Sequence, residues 1–111
     1  MASLAAYRAV LEDVQAQAEA LGLGYGGAYP KALFDALRLG LPTLAQPVEA
    51  FRRPGQRRAQ ARLVEQAEEL LVAVAAAMHS GEILDEEHAV EEARRLCRLL
   101  QEARPILGLP P

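Results

Sequence analysis

The stretch Leu70-Leu71-Val72-Ala73-Val74-Ala75-Ala76-Ala77-Met78 contains nine consecutive apolar residues. It lies within the segment from about Arg57 to Ser80, which is rich in Ala, Leu, Glu and Gln, residues that favour helices. Gly81 follows at a position where a left-handed residue commonly ends a helix. Because nine apolar residues cover the whole circumference of a helix, the stretch predicts a long helix that other elements must cover.

A second long helix is predicted at the start of the chain, between an N-cap at Ser3 and a stop at Gly22. Its charged residues fall on the side opposite to its apolar residues. The apolar residues follow a continuous heptad spacing and comprise Leu4, Tyr7, Leu11, Val14, Ala18 and Leu21. This spacing predicts an amphipathic helix from about Leu4 to Leu21 with one buried face.

A third long helix is predicted from an N-cap at Asp85 to about Arg104, just before Pro105. Its apolar stripe comprises Ala89, Val90, Ala93, Leu96, Cys97, Leu100 and Ala103. Residues 104–111 carry three prolines and are predicted to form an apolar tail that is not helical.

The segment between the first two long helices is interrupted by glycine and proline. A glycine-rich loop is predicted over Gly22–Tyr29, and a short helix over Pro30–Leu39 that ends at Gly40 and Pro42. A further short helix or turn is predicted over Thr43–Arg53. These elements predict an all-α fold, a small antiparallel helical bundle of three long helices plus one or two short helices. A chain of 111 residues is the size of one domain, so residues 1–111 are expected to form a single unit.

Composition adds expectations about location and source. Cys97 is the only cysteine, so the chain cannot form an internal disulfide. The first residues lack the pattern of a signal peptide, and the longest apolar run is too short to span a membrane, so we expect a cytoplasmic protein. Asparagine is absent and Lys31 is the only lysine among twelve basic residues, a thermophile-like composition.

Charge is distributed in two blocks although the net charge is only −3. The first block has five positive residues with no acid between them: Arg52, Arg53, Arg57, Arg58 and Arg62. The second, from Glu65 to Glu92, has nine acids and neither Lys nor Arg. The arginine segment is a candidate contact for an anion or nucleic acid. A solvated or salt-bridged face is favoured instead, since Glu65 and Glu69 lie within two helical turns of Arg62 and no aromatic residue interleaves for base stacking.

The leading functional hypothesis is a protein–protein interaction or assembly module that self-associates as a homodimer. Few elements remain to cover the long apolar helix and the tail, so a second chain is expected to cover part of both. The interface is predicted at Leu70, Leu71, Val74, Ala77, Met78, Ile106, Leu107 and Leu109. The alternatives are complete coverage within one chain and a nucleic-acid-associated regulator that uses the arginine segment.

Other kinds of site have weaker signals. A small-ligand-binding helical protein, with a pocket near Tyr25, Tyr29 and the glycine-rich loop, is a further alternative, but no strand precedes the loop as in known phosphate loops. His79 and His88 do not reproduce the paired Glu-x-x-His ligands of helical di-iron sites, so no metal or cofactor is expected. The sequence nominates no base beside Cys97, so no catalytic residue is assigned and the chain is not expected to be an enzyme.

Overall fold

The computed structural model describes residues 1–24 and 29–110. Its four α-helices are α1 (Leu4–Gly22), α2 (Tyr29–Ala45), α3 (Pro54–Ser80) and α4 (Ile83–Leu107). Helix α1 packs against α2 and α4, and α3 packs against the same two helices, so α1 and α3 lie on one diagonal of the bundle. Short connections make consecutive helices antiparallel. The bundle measures 42 × 22 × 18 Å. Its four packed helices confirm the predicted all-α antiparallel fold.

Helix α1 is formed as the heptad spacing predicts. The Ser3 hydroxyl accepts a hydrogen bond from the Ala6 amide at 3.1 Å, which confirms the N-cap. Residues of the seam from Tyr7 to Leu21 are buried, and Leu4 is half-buried at the end of the bundle. The Tyr7 ring contacts Phe51 edge to face, with 5.2 Å between ring centroids, and this contact fixes the segment that connects α2 to α3.

Helix α2 continues through Gly40 and Pro42 to Ala45, so the predicted helix end at Leu39 is wrong, whereas a turn is present at residues 49–50 within the predicted Thr43–Arg53 segment. A Cβ atom at position 40 would lie 2.7 Å from Val10 Cγ1, so this glycine allows α1 and α2 to approach closely. Pro42 lies in the last turn, where it removes a single backbone hydrogen bond. Burial of Leu44 beyond it offsets that loss, because a buried leucine contributes about 1.5–3 kcal/mol.

We expect Gly40→Ala to destabilise the protein although alanine is the better helix former. Overpacking against Val10 should cost about 1–3 kcal/mol, and helix propensity should return at most about 1 kcal/mol. Gly55→Ala is the matched control, since a Cβ there would meet only the end of the Arg58 side chain at 4.0 Å. Urea denaturation should show a lower unfolding free energy for Gly40→Ala alone. Equal stability of the two variants would contradict close packing at Gly40.

Helices α3 and α4 are both longer than predicted. Helix α3 begins at Pro54, three residues before the expected Arg57, and ends at Gly81, whose φ of 65° confirms the predicted left-handed stop. Helix α4 begins at Ile83 with Glu82 as its N-cap, so the assignment of Asp85 as the cap is wrong.

The tail from residue 104 is helical as far as Leu107, which corrects the prediction of a non-helical tail over residues 104–111. Pro105 lies in the last turn of α4, and the helix ends at Gly108 with φ of 71°. The Leu109 amide donates to the Arg104 carbonyl at 2.9 Å, as in a Schellman motif, which turns the chain back toward the bundle. Leu107 and Leu109 are therefore both buried within the same chain.

Candidate functional site

The predicted interface residues divide into two groups according to burial. Five of them are buried in the core of the single chain: Leu70, Val74, Ala77, Leu107 and Leu109. Helices α2 and α4 pack against α3, so its buried residues contribute to the core of one chain, and the assignment of all five to an interface between chains stays a prediction. Leu71 is half-buried, whereas Met78 and Ile106 are 44% and 50% exposed.

The apolar run on α3 is not covered around its whole circumference. Val72 is 70% exposed, and Ala76 is also exposed. Helical spacing places Val72 on the same outer face as Glu65, Glu68 and His79, which are all exposed. A single apolar side chain on a polar face is normal for a protein surface, so Val72 by itself does not indicate an interface.

Among the described residues, three exposed apolar side chains lie close together in sequence where α3 ends and α4 begins. Ile83 and Leu84 are each 73% exposed, and Met78 lies just before the turn. The Arg94 guanidinium donates from Nε to the Gly22 carbonyl at 3.1 Å and marks where α1 ends beside α4. Residues of α4 before Arg94 thus reach past the end of α1. We call residues 78–87 the hairpin end.

A groove of about 580 Å³ separates the hairpin end from the adjoining ends of α1 and α2. Its apolar lining is formed by Leu21, Pro30, Val74, Ala77, Ile83, Ala89 and Val90. Glu86 and Glu87 lie at one edge of the groove and Arg94 at another. Tyr25 and the side chain of Tyr29, which the small-ligand alternative invokes, lie outside the described residues.

The hairpin end is acidic. Glu82, Glu86 and Glu87 are exposed, and within the described ranges none of them lies within 4.0 Å of a basic group. Asp85 is half-buried and accepts a hydrogen bond from the Ser80 hydroxyl at 2.5 Å. The exposed apolar side chains of this end are therefore surrounded by uncompensated negative charge.

The arginine segment occupies the opposite end of the bundle. Arg52, Arg53, Arg57, Arg58 and Arg62 are all exposed. Of these five arginines, only Arg52 forms an ion pair with a described residue, Glu49 at 3.7 Å, so the expected pairing of Arg62 with Glu65 or Glu69 is not formed. We call residues 47–58 the basic end.

An apolar recess of about 480 Å³ lies at the basic end. Pro47, Val48 and Phe51 contribute to its lining, and Arg52 and Arg57 lie beside them. The Arg57 Nε donates to the Phe51 carbonyl at 3.4 Å, which holds this guanidinium close to the recess. Both ends of the bundle thus combine apolar surface with an excess of one sign of charge, although the basic end also contains Glu49 beside the recess.

One charged residue of the acidic block is buried, which the sequence analysis missed. Glu92 is 5% exposed between α3 and α4. Its Oε2 accepts a hydrogen bond from Gln66 at 2.5 Å, and its Oε1 lies 3.4 Å from the Arg95 guanidinium. Glu92 is next to Ala93 and one helical turn from Ala89, both on the apolar stripe of α4. This position in the sequence indicates that the Glu92 side chain faces inward. These partners satisfy the carboxylate, so Glu92 has a structural role.

The thiol and imidazole groups do not form a reactive site. Burial and, to a smaller extent, the charge of Glu19 raise the pKa of Cys97 to about 11, against the opposing effect of Arg98. The thiol is therefore protonated at neutral pH and a poor nucleophile. His79 and His88 are exposed, and the described residues contain no group of three side chains that could hold a metal ion.

None of the helices over residues 1–24 and 29–110 is long and apolar enough to cross a membrane. Comparisons with protein-family models, with curated proteins and with solved structures found no match to this chain.

Proposed function

We propose that this chain is a protein–protein interaction module that self-associates through its hairpin end. The observation that carries the proposal is the exposure of Met78, Ile83 and Leu84 within one short turn region beside an apolar groove. Isolated exposed leucines are common on protein surfaces, but grouped ones mark interaction sites. Covering Ile83 and Leu84 would remove two large apolar side chains from water, about 1.5–3 kcal/mol each.

The position of the hairpin end also suits this role. Apart from Val72 and Ala76, the rest of the apolar run is at least partly covered by α2 and α4, so burial of the hairpin end does not require the bundle to open. The hairpin end is connected to two long helices, which restrict its conformation and so reduce the conformational entropy lost on association. The partner must carry apolar surface for Ile83 and Leu84 and positive charge for the surrounding carboxylates.

We expect the unmodified chain to sediment above its monomer mass of 12.0 kDa at tens of micromolar. The double variant Ile83→Gln with Leu84→Gln should sediment as the monomer, since glutamine retains helix propensity but removes the apolar contact. Sedimentation equilibrium measures both.

Leu39→Gln is the matched control, because Leu39 is similarly exposed but lies on α2, away from both ends of the bundle. It should associate as the unmodified chain does. At concentrations too low for association, thermal unfolding should be unchanged for all variants, as these side chains are exposed. If the unmodified chain has the monomer mass over this concentration range, the proposal is rejected.

Nucleic-acid binding is the second candidate, favoured by the exposed and largely unpaired arginines of the basic end. It would give binding to arbitrary duplex DNA that weakens steeply as salt rises. Two features argue against nucleic-acid binding. No aromatic side chain lies between the arginines in the sequence, and the outer face of α3 is acidic.

A further inference from the structure

We propose that the partner of the hairpin end is the basic end of a second copy, so that copies of this chain join head to tail. This inference rests on the self-association proposed above and specifies its geometry. It differs from the two-fold homodimer expected from the sequence, in which one patch would face itself.

The distribution of charge favours the head-to-tail arrangement. Helix α3 starts at the basic end and finishes at the hairpin end, so the two ends are separated along the 42 Å axis of the bundle. A two-fold contact between hairpin ends would bring Glu82, Glu86 and Glu87 of both copies together. Such like charges repel at distances below the Debye length of about 8–10 Å. A contact between unlike ends replaces that repulsion with attraction between carboxylates and guanidinium groups.

The apolar surfaces of the two ends are also complementary in form. Ile83 and Leu84 are exposed on the first turn of α4, whereas the basic end presents a recess whose lining includes Pro47, Val48 and Phe51. Arg57 beside this recess, together with Arg52, which also pairs with Glu49 at 3.7 Å, would face the carboxylates that surround the exposed apolar side chains. One contact would therefore satisfy both the apolar and the charged groups of each end.

A head-to-tail contact produces open chains unless the rotation between copies closes a ring. An open head-to-tail assembly always has one free hairpin end and one free basic end, to which further copies can add. We therefore expect the average mass of the unmodified protein to rise with concentration rather than stop at twice the monomer mass. We also expect the dissociation constant to increase roughly tenfold between low and high salt, because exposed charge pairs are screened.

A mixing experiment tests the geometry directly. The tip variant, Ile83→Gln with Leu84→Gln, retains an intact basic end, and the base variant, Arg57→Glu with Arg58→Glu, retains an intact hairpin end. Each variant alone should sediment as a 12.0 kDa monomer, and an equimolar mixture should form a particle of twice that mass. A two-fold contact could not be restored by mixing, because both of its halves use the same surface.

The base variant should keep its fold, since the substituted side chains are exposed on the first turns of α3. If circular dichroism shows that it does not, Arg53→Glu with Arg58→Glu replaces it. Two results would overturn the head-to-tail geometry while the unmodified chain still self-associates. One is an equimolar mixture that remains monomeric, and the other is a base variant that associates normally. Either result leaves the proposed function standing. A monomeric unmodified chain overturns both proposals.

Discussion

Replacing Val74 with arginine should unfold the protein, whereas replacing Val72 with arginine should leave its stability within about 0.5 kcal/mol of the unmodified chain. Val74 has no exposed surface and packs inside the bundle, but Val72, two residues earlier in the same apolar run, is 70% exposed. An unpaired guanidinium at position 74 would cost more than about 4 kcal/mol, a large part of the 5–15 kcal/mol that stabilises a typical domain.

Urea denaturation followed by far-ultraviolet circular dichroism measures both variants, with Val72→Arg as the matched control. Sedimentation adds a second measurement that separates core from interface. A Val74→Arg chain that remains folded but loses self-association would place Val74 at an interface, as the sequence analysis expected. An equal loss of stability in both variants would contradict the exposure of Val72.

Replacing Tyr7 with phenylalanine should stabilise the protein, and the gain should increase at alkaline pH. The Tyr7 hydroxyl is buried and has no hydrogen-bond partner among the described residues. Removing an unsatisfied buried polar group should contribute about 1–2 kcal/mol at neutral pH. The edge-to-face contact with Phe51 is retained, because phenylalanine keeps the ring.

The pH dependence has a defined sign. Burial raises the pKa of Tyr7 from its usual value of 10.0 to about 12. The folded state therefore holds the phenolic proton after the unfolded chain has released it. The stability associated with the protonated phenol is complete below pH 10 and falls as the pH rises through 12. The loss should be about 3 kcal/mol in the unmodified chain and absent in Tyr7→Phe.

Denaturation of both chains between neutral pH and pH 12 measures this difference. Cys97, whose pKa is also raised, is present in both chains, so its contribution cancels in the comparison. A Tyr7→Phe chain that is less stable at every pH would show that the hydroxyl makes a hydrogen bond in the folded protein, for example to an ordered water.

Much of the helical architecture could be predicted from local patterns. The heptad seam of α1, the Ser3 cap and the left-handed Gly81 follow from interactions between residues a few positions apart. The continuation of α2 could not be predicted in this way. Gly40 and Pro42 disfavour a helix locally, and only the close approach of Val10 and the burial of Leu44 explain why the helix persists.

For the candidate surfaces, too, local sequence patterns predicted some features and tertiary packing decided the others. The sequence alone indicated two blocks of opposite charge and an apolar run too long for one buried face of a helix. It did not indicate which part of that run is exposed, since Val72 and Val74 are equally apolar and two residues apart.

By itself, then, the sequence determined the all-α class, both ends of α1, the end of α3 and the separation of charge along the chain, because helix propensity, caps and turns act over a few residues. The tertiary structure decided which apolar side chains are covered, because coverage depends on which helices become neighbours. It also decided that the two charge blocks lie at opposite ends of one bundle, because that separation follows from the length and direction of α3 and from the antiparallel return of α4.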